Sequence, residues 1–263
     1  NKELKAIQNE ELEKLGLRSL DLRNLKSKKK LEQQEGCAIE VRDLVYKRDN
    51  KKVLNIKELD LHKGEIIALI GNNGAGKTTF ANCLCGLLKH SGKITQYGKK
   101  LKNKHRVDKS YMVMQDVNCQ LFTESVVEEV SLNQATVTDE SINGVLESLG
   151  LLSYKEAHPM TLSGGQKQRV ALASAIIAGK EILIYDEPTS GLDYENMLKM
   201  CRLIDEKKNS CYCTLIITHD PELILGGCNR VIHLERGRVV EDYELNTLGI
   251  EKVKEYFINN IEG

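Results

Sequence analysis

The segment Gly71-Asn72-Asn73-Gly74-Ala75-Gly76-Lys77-Thr78 follows directly on the apolar run Ile66-Ile67-Ala68-Leu69-Ile70, and no other feature constrains the fold as tightly. It satisfies every fixed position of G-x-x-x-x-G-K-[ST]. The spacing predicts a buried strand, a glycine loop and a helix opening at Lys77. Glycine lets backbone N–H groups converge on phosphate oxygens where a Cβ would obstruct them, and the positive end of the helix dipole faces the same anion. Asn73, Gly74, Ala75, Gly76, Lys77, Thr78 and Thr79 are therefore candidate phosphate ligands. In such a loop the lysine bridges the β- and γ-phosphates and the hydroxyl after it binds Mg²⁺, the roles expected of Lys77 and Thr78.

A second apolar run, Ile182-Leu183-Ile184-Tyr185, ends abruptly in Asp186-Glu187 and reads as a strand of a parallel sheet buried on both faces. Ligands in open α/β sheets bind beyond the carboxyl ends of the strands, so both acids belong at the phosphate end. Asp186 suits the Mg²⁺ shell, and Glu187 is placed to orient or deprotonate an attacking water. Taken alone, the same two acids also read as solvation of a strand end before Pro188. Between the two strands lies Leu162-Ser163-Gly164-Gly165-Gln166, ahead of the apolar segment Val170 to Ile177, which reads as a helix. A hydroxyl and small-residue N–H groups at a helix N-terminus make an anion site, and they equally make an ordinary N-cap.

These elements, with Lys167-Gln168-Arg169, Ser190-Gly191-Leu192-Asp193 and Thr218-His219-Asp220, occur in the order found in ABC ATPases. Residues 38 to 240 resemble that family, the nucleotide-binding subunits of ATP-binding cassette transporters. The resemblance implies an α/β fold: a P-loop NTPase (RecA-like) core with an N-terminal antiparallel β subdomain and an inserted α-helical subdomain. It implies ATP and Mg²⁺ as cofactors, and a site shared between two cassettes. Ser163, Gly164, Gly165 and Gln166 would face the γ-phosphate of an ATP held by a partner cassette, and Asp193 would cross the seam. His219 resembles the switch histidine that contacts the γ-phosphate, and Gln115 the glutamine that touches Mg²⁺ and links core to insertion. Tyr46, ending the alternating run Ile39 to Tyr46, stands where the family's aromatic stacks on adenine; as a bare sequence feature it is also a half-buried strand tyrosine.

Within the family, Gln115 to Val130 resembles the cassettes of energy-coupling factor importers, which take up vitamins or cobalt and nickel ions. Leu121 and Phe122 would form an apolar lip, and Glu128 and Glu129 an acidic helix face for a basic coupling helix of an integral membrane transport subunit. Two other classes remain open at this point: a soluble ABC protein acting on ribosomes or DNA, and a regulatory cassette with little turnover. With 38 basic and 38 acidic residues the chain is formally neutral, which gives no global case for a nucleic-acid partner.

No run approaches the 18 or so apolar residues that cross a bilayer; together with this, the resemblance implies a peripheral protein at the cytoplasmic face of the membrane. The eight cysteines lack paired zinc spacing and read as reduced thiols. Residues 38 to 64 read as a hairpin turning at Arg48 to Lys52. Residues 117 to 174 read as the helical subdomain, with helices over Ser125 to Asn133 and Asp139 to Leu149. Ile250 to Ile261 reads as an amphipathic helix. Residues 37 to 263 form the cassette on this reading. Residues 1 to 36, dense in helix formers and then charged, resemble the tail of a preceding cassette and a linker. An autonomous helical extension remains equally open.

Overall fold

The computed structural model describes residues 37–132, 134, 137–208 and 213–262, so the expected N-terminal tail lies outside the described residues. Two sheets form the frame. The smaller is antiparallel, ordered β2-β1-β4-β5, from β1 (Cys37–Arg48), β2 (Lys51–His62), β4 (Ser91–Gln96) and β5 (Lys99–Lys100). The hairpin joining β1 to β2 turns on two residues, Asp49 and Asn50, with φ of 48° and 60°. That is tighter than the five-residue turn expected. The sequence-based reading took the lysines for loop, whereas Asp and Asn tolerate the positive φ that a two-residue hairpin turn demands.

The larger sheet is ordered β10-β9-β3-β8-β7-β6. Here β3 (Ile66–Ile70), β6 (Ser110–Val113), β7 (Ile182–Asp186), β8 (Cys213–Ile217) and β9 (Arg230–Glu235) run parallel, and β10 (Arg238–Glu244) returns antiparallel to β9. Every residue of β3, β7 and β8 is buried. The period of two divides them between two cores. Ile66, Ala68, Ile70, Leu183, Tyr185 and Ile216 enter one core. That core holds α3 (Val126–Ser131), α4 (Asp139–Ser148), α5 (Gly164–Ala178), α6 (Tyr194–Lys207), α7 (Pro221–Gly227) and α8 (Thr247–Glu262). Ile67, Leu69, Ile182, Ile184, Leu215 and Ile217 enter the other, against α1 (Lys77–Cys85) and the antiparallel sheet. A continuous apolar strand is thus what two-sided coverage requires.

The parallel register brings the carboxyl ends of the strands level, with Leu69 and Asp186 both opposite Ile217 and Val113 opposite Tyr185. The turn between β9 and β10 then locks the glycine loop to the antiparallel sheet. Gly237 N–H donates to the Ala75 carbonyl, and the Gly237 carbonyl accepts from Asn55 N–H, each at 2.8 Å. Gly237 has φ of 76°, and a Cβ there would stand 2.0 Å from the Val53 carbonyl oxygen. Gly237→Ala is expected to lower unfolding stability by about 2–4 kcal/mol, through backbone strain and displacement of this joint. Urea titration of both proteins measures it; an unchanged midpoint would contradict the clamp.

Candidate functional site

Lys77 opens α1 behind Gly76, whose φ of 104° turns the chain from loop into helix without a side-chain cap. The lysine is only 8% exposed. Its Nζ donates to the carbonyls of Gly71 at 2.5 Å and Asn72 at 3.3 Å, and lies 3.2 Å from Nε2 of His219. Burial pulls its pKa down, against the attraction of Glu187 and Asp186. Carbonyl dipoles compensate an ammonium only partly, so this cation sits in a place suited to a stronger anion. The loop supplies room for one: Asn73 and Gly74 are exposed, Ala75 and Gly76 are buried beneath them, and Thr79 is half-buried. At Gly71 a Cβ would stand 2.1 Å from the Leu234 carbonyl oxygen, so the loop can lie this close to β9 only with glycine there.

Thr78 donates its hydroxyl to Asp186 Oδ2 at 2.9 Å, joining α1 to the end of β7 across the intervening tail of β8. Two hard oxygen donors thus meet beside the lysine, which suits Mg²⁺. Burial raises the Asp186 pKa, partly offset by the Thr78 hydroxyl and by Lys77. Glu187, the next residue, adopts φ of 50°, a left-handed conformation uncommon for a side chain of this type. Its backbone N–H donates to the Ile217 carbonyl, and its carboxylate accepts from His219 N–H at 3.4 Å. His219 Nε2 lies 3.7 Å from the other carboxylate oxygen. Burial raises the Glu187 pKa first of all, and Asp186 and Asp220 push the same way. Burial and Lys77 lower that of His219, favouring the neutral imidazole. Lys77, Thr78, Asp186, Glu187 and His219 are therefore one cluster.

The remaining candidates fall into two places. Ser163 is the N-cap of α5 in a reciprocal capping box: its N–H donates to Gln166 Oε1 at 2.8 Å, and its Oγ accepts from Gln166 N–H at 3.4 Å. The cap reading of Ser163 is thus realised, and Ser163 and Gly164 are exposed as well. A Cβ on Gly165 would stand 2.7 Å from the Gly191 carbonyl oxygen, so the start of α5 packs on the turn that leads to Asp193. Asp193 caps α6 through Asn196 N–H at 2.7 Å. Among the described residues, no hydrogen bond joins this exposed surface to Lys77 or Thr78. Gln115 is exposed just beyond β6, level with the end of β7. Tyr46 is half-buried on β1 opposite Leu54, whose Cδ2 would be 2.8 Å from a Cβ on Gly76.

Glu129 departs from expectation. It is 4% exposed, and Oε2 accepts from Phe122 N–H, Thr123 N–H and the Thr123 hydroxyl at 2.9–3.0 Å. An acid read as half of an outward face instead ties down the preceding turn, because three donors left bare by that turn need an acceptor. Glu128 remains exposed. The expected lip also splits, with Leu121 buried at 4% and Phe122 displayed at 73%. Sequence reasoning missed Gly237 and Leu234, which shape the loop from β9–β10, and Tyr256. The Tyr256 hydroxyl is hydrogen-bonded to the Gly71 backbone, and its ring stands edge-on to His233 at 4.9 Å. Arg236-Gly237 between two alternating runs is a readable turn; nothing local marks Tyr256.

Residues 54–190 match the family described as ABC transporter. The chain belongs to that family. An ABC transporter ATP-binding protein of Treponema denticola, itself named as putative, is 45% identical over 79% of this chain and 42% of its own length. A similarly named protein of Synechocystis, sll0385, is 36% identical over 78% of this chain and 74% of its own length. The energy-coupling factor transporter ATP-binding protein EcfA2 of Methanospirillum hungatei is 34% identical over 77% of this chain and 54% of its own. Among solved structures, cbiO1 from Clostridium perfringens, part of the transporter complex cbiONQ, is 30% identical with a TM-score of 0.72, over 86% of this chain and 95% of that one. The chain spans about half the length of the Treponema relatives it matches, at 42% and 51%. As an ABC cassette, its large mixed sheet and antiparallel sheet have the P-loop architecture of those neighbours.

The raised pKa of Glu187 means that its charged form is disfavoured by folding, so that stability is greatest where it is protonated and falls as pH rises through its folded pKa. Glu187→Gln removes the charge while keeping an acceptor for His219 N–H. The variant is expected to melt higher than wild type near pH 7.5 without nucleotide, the gain vanishing as pH falls through the carboxylate range. Differential scanning calorimetry across pH measures it; a lower melting temperature at neutral pH would contradict the sign.

Proposed function

We propose that this cassette binds ATP with Mg²⁺ and hydrolyses it to drive transport, as the ATPase subunit of an importer of the energy-coupling factor type. One observation carries the reading: a buried lysine, a paired threonine and aspartate, a glutamate in a left-handed turn and a histidine converge at one end of the sheet. Lys77 leaves the loop carbonyls for the β- and γ-phosphates, where a full anion replaces partial dipoles. Thr78 and Asp186 hold Mg²⁺, with Gln115 as a further oxygen donor; the ion, when bound, neutralises phosphate charge. Glu187 accepts the proton of the attacking water, and its raised pKa brings it closer to the operating pH of a general base. His219, in its neutral form, donates from the imidazole toward the γ-phosphate. Tyr46 stacks on the adenine.

The exposed caps at Ser163 and Asp193 complete the site of a second cassette, identical, different or fused in the same polypeptide. Closure of the pair moves the insertion, and Phe122 and Met114, 73% and 44% exposed, give the integral membrane subunit an apolar contact beside Gln115. Substrate choice resides in that partner. The similarity to EcfA2 and cbiO1 supports the importer reading. Glu187→Gln is expected to keep ATP affinity within about threefold, to lower turnover by at least about 100-fold and to accumulate an ATP-bound cassette pair. Turnover assays with the membrane subunit present, and sedimentation with ATP, test this; undiminished turnover would remove Glu187 from the role of base.

A further inference from the structure

We propose that the exposed lysines of the β4–β5 hairpin and of α2 (Asn103–Lys109) form a docking surface for an anionic phospholipid bilayer. Although the whole chain is formally neutral, residues 89–109 hold seven lysines and one arginine against one aspartate, leaving the rest of the chain net acidic. Lys89, Lys93, Lys99, Lys100, Lys102 and Lys104 are all exposed, and none forms an ion pair among the described residues. Neighbouring carboxylates are already engaged: Glu181 pairs with Lys109 at 2.6 Å and accepts from Gln96 Nε2 at 2.7 Å, and Glu40 accepts from the Thr95 hydroxyl at 2.9 Å, which leaves Asp108 as the one acid inside the segment. Six uncompensated ammonium groups on about twenty residues produce a local field that counterions or an anionic surface must answer.

Side-chain contacts tie the elements of this segment together. Arg106, buried at 3% exposure, reaches His90 Nε2 at 3.0 Å and so fixes α2 beside the Lys89-His90 turn. Through Glu181, Gln96 of β4 and Lys109 of α2 are tied to the residue before β7. This places the lysines near the amino ends of β6 and β7, whereas Asp186, Glu187 and the glycine loop stand at the carboxyl ends of the same parallel sheet. The basic surface therefore lies away from the phosphate cluster and stays open when nucleotide is bound there.

Apolar side chains sit among the lysines: Leu87, Tyr97 and Val107 are 54%, 50% and 40% exposed. Exposed aliphatic and phenolic groups beside long basic chains match a headgroup layer, where ammonium ions meet phosphates and apolar tips enter the acyl boundary. A single-stranded nucleic acid would instead call for several stacking rings, and Tyr97 is the one Phe, Tyr or Trp in residues 87–109.

The test is co-sedimentation of the 263-residue protein with vesicles of phosphatidylcholine alone or mixed with phosphatidylglycerol. Wild type is expected to pellet with the mixed vesicles only, and to be released at about 0.5 M sodium chloride, where screening shortens to a few ångström. The combined Lys99→Gln, Lys100→Gln, Lys102→Gln and Lys104→Gln variant should bind them at least about 50-fold more weakly, each lysine near an anionic leaflet being worth roughly fivefold. Its ATP affinity and melting temperature should match wild type, which separates this proposal from the reading of the phosphate cluster. Equal pelleting with both vesicles, undiminished binding by the variant, release by inorganic phosphate at constant ionic strength, or tighter lysine-dependent binding to single-stranded DNA would each overturn it.

Discussion

An ammonium group held out of water, with backbone carbonyls and a neutral imidazole as its hydrogen-bond partners, is the interaction around which the rest of this cassette is arranged. Lys77 can occupy that position because Gly76 turns the chain by a positive φ into α1 and because Gly71 lets the loop press against β9. It is only partly compensated there, since Asp186 is committed to Thr78 and Glu187 to the His219 backbone. Two acids whose pKa values are raised by burial and a base whose pKa is lowered by it signal a cluster selected for something other than stability. The left-handed backbone at Glu187 points the same way.

The parallel sheet converts sequence separation into proximity. Thr78 and Asp186 are over a hundred residues apart along the chain and 2.9 Å apart in space, because β3, β8 and β7 run side by side and end level. The antiparallel sheet reaches the glycine loop through the β9–β10 turn, where Gly237 links Ala75 of the loop to Asn55 of β2. The phosphate loop is thereby supported from outside its own strand and helix. The caps at Ser163 and Asp193 form a second, separate surface, joined by the close approach of Gly165 to Gly191. On the proposed reading, a complete nucleotide site would take one of these surfaces from each of two cassettes.

The loop, the strand-end acids and the parallel class were legible because each imposes a local residue pattern that few alternatives satisfy. The hairpin register was legible in outline, yet its turn was read as five residues because the lysines that flank Asp49-Asn50 look like loop. Glu129 was read outward because α3 is only six residues long, too short for periodicity to show which face is buried, and because the donors it satisfies lie on the preceding turn. The contact of Tyr256 with Gly71 is tertiary and leaves no local mark. The lysine surface escaped notice because opposite charges elsewhere cancel it in the total; only its distribution over β4, β5 and α2 reveals it.

The most direct measurement of the central claim is the nucleotide affinity of the dilute, monomeric chain, by calorimetric titration with magnesium present, for wild type, Lys77→Ala and Ser163→Ala. Loss of a charge-assisted contact to phosphate predicts at least about tenfold weaker binding for the lysine variant. The serine variant should bind as wild type does, because on the proposed reading its hydroxyl would serve the nucleotide of another molecule. Equal weakening by both substitutions in the monomer, or none from the lysine, would contradict the account.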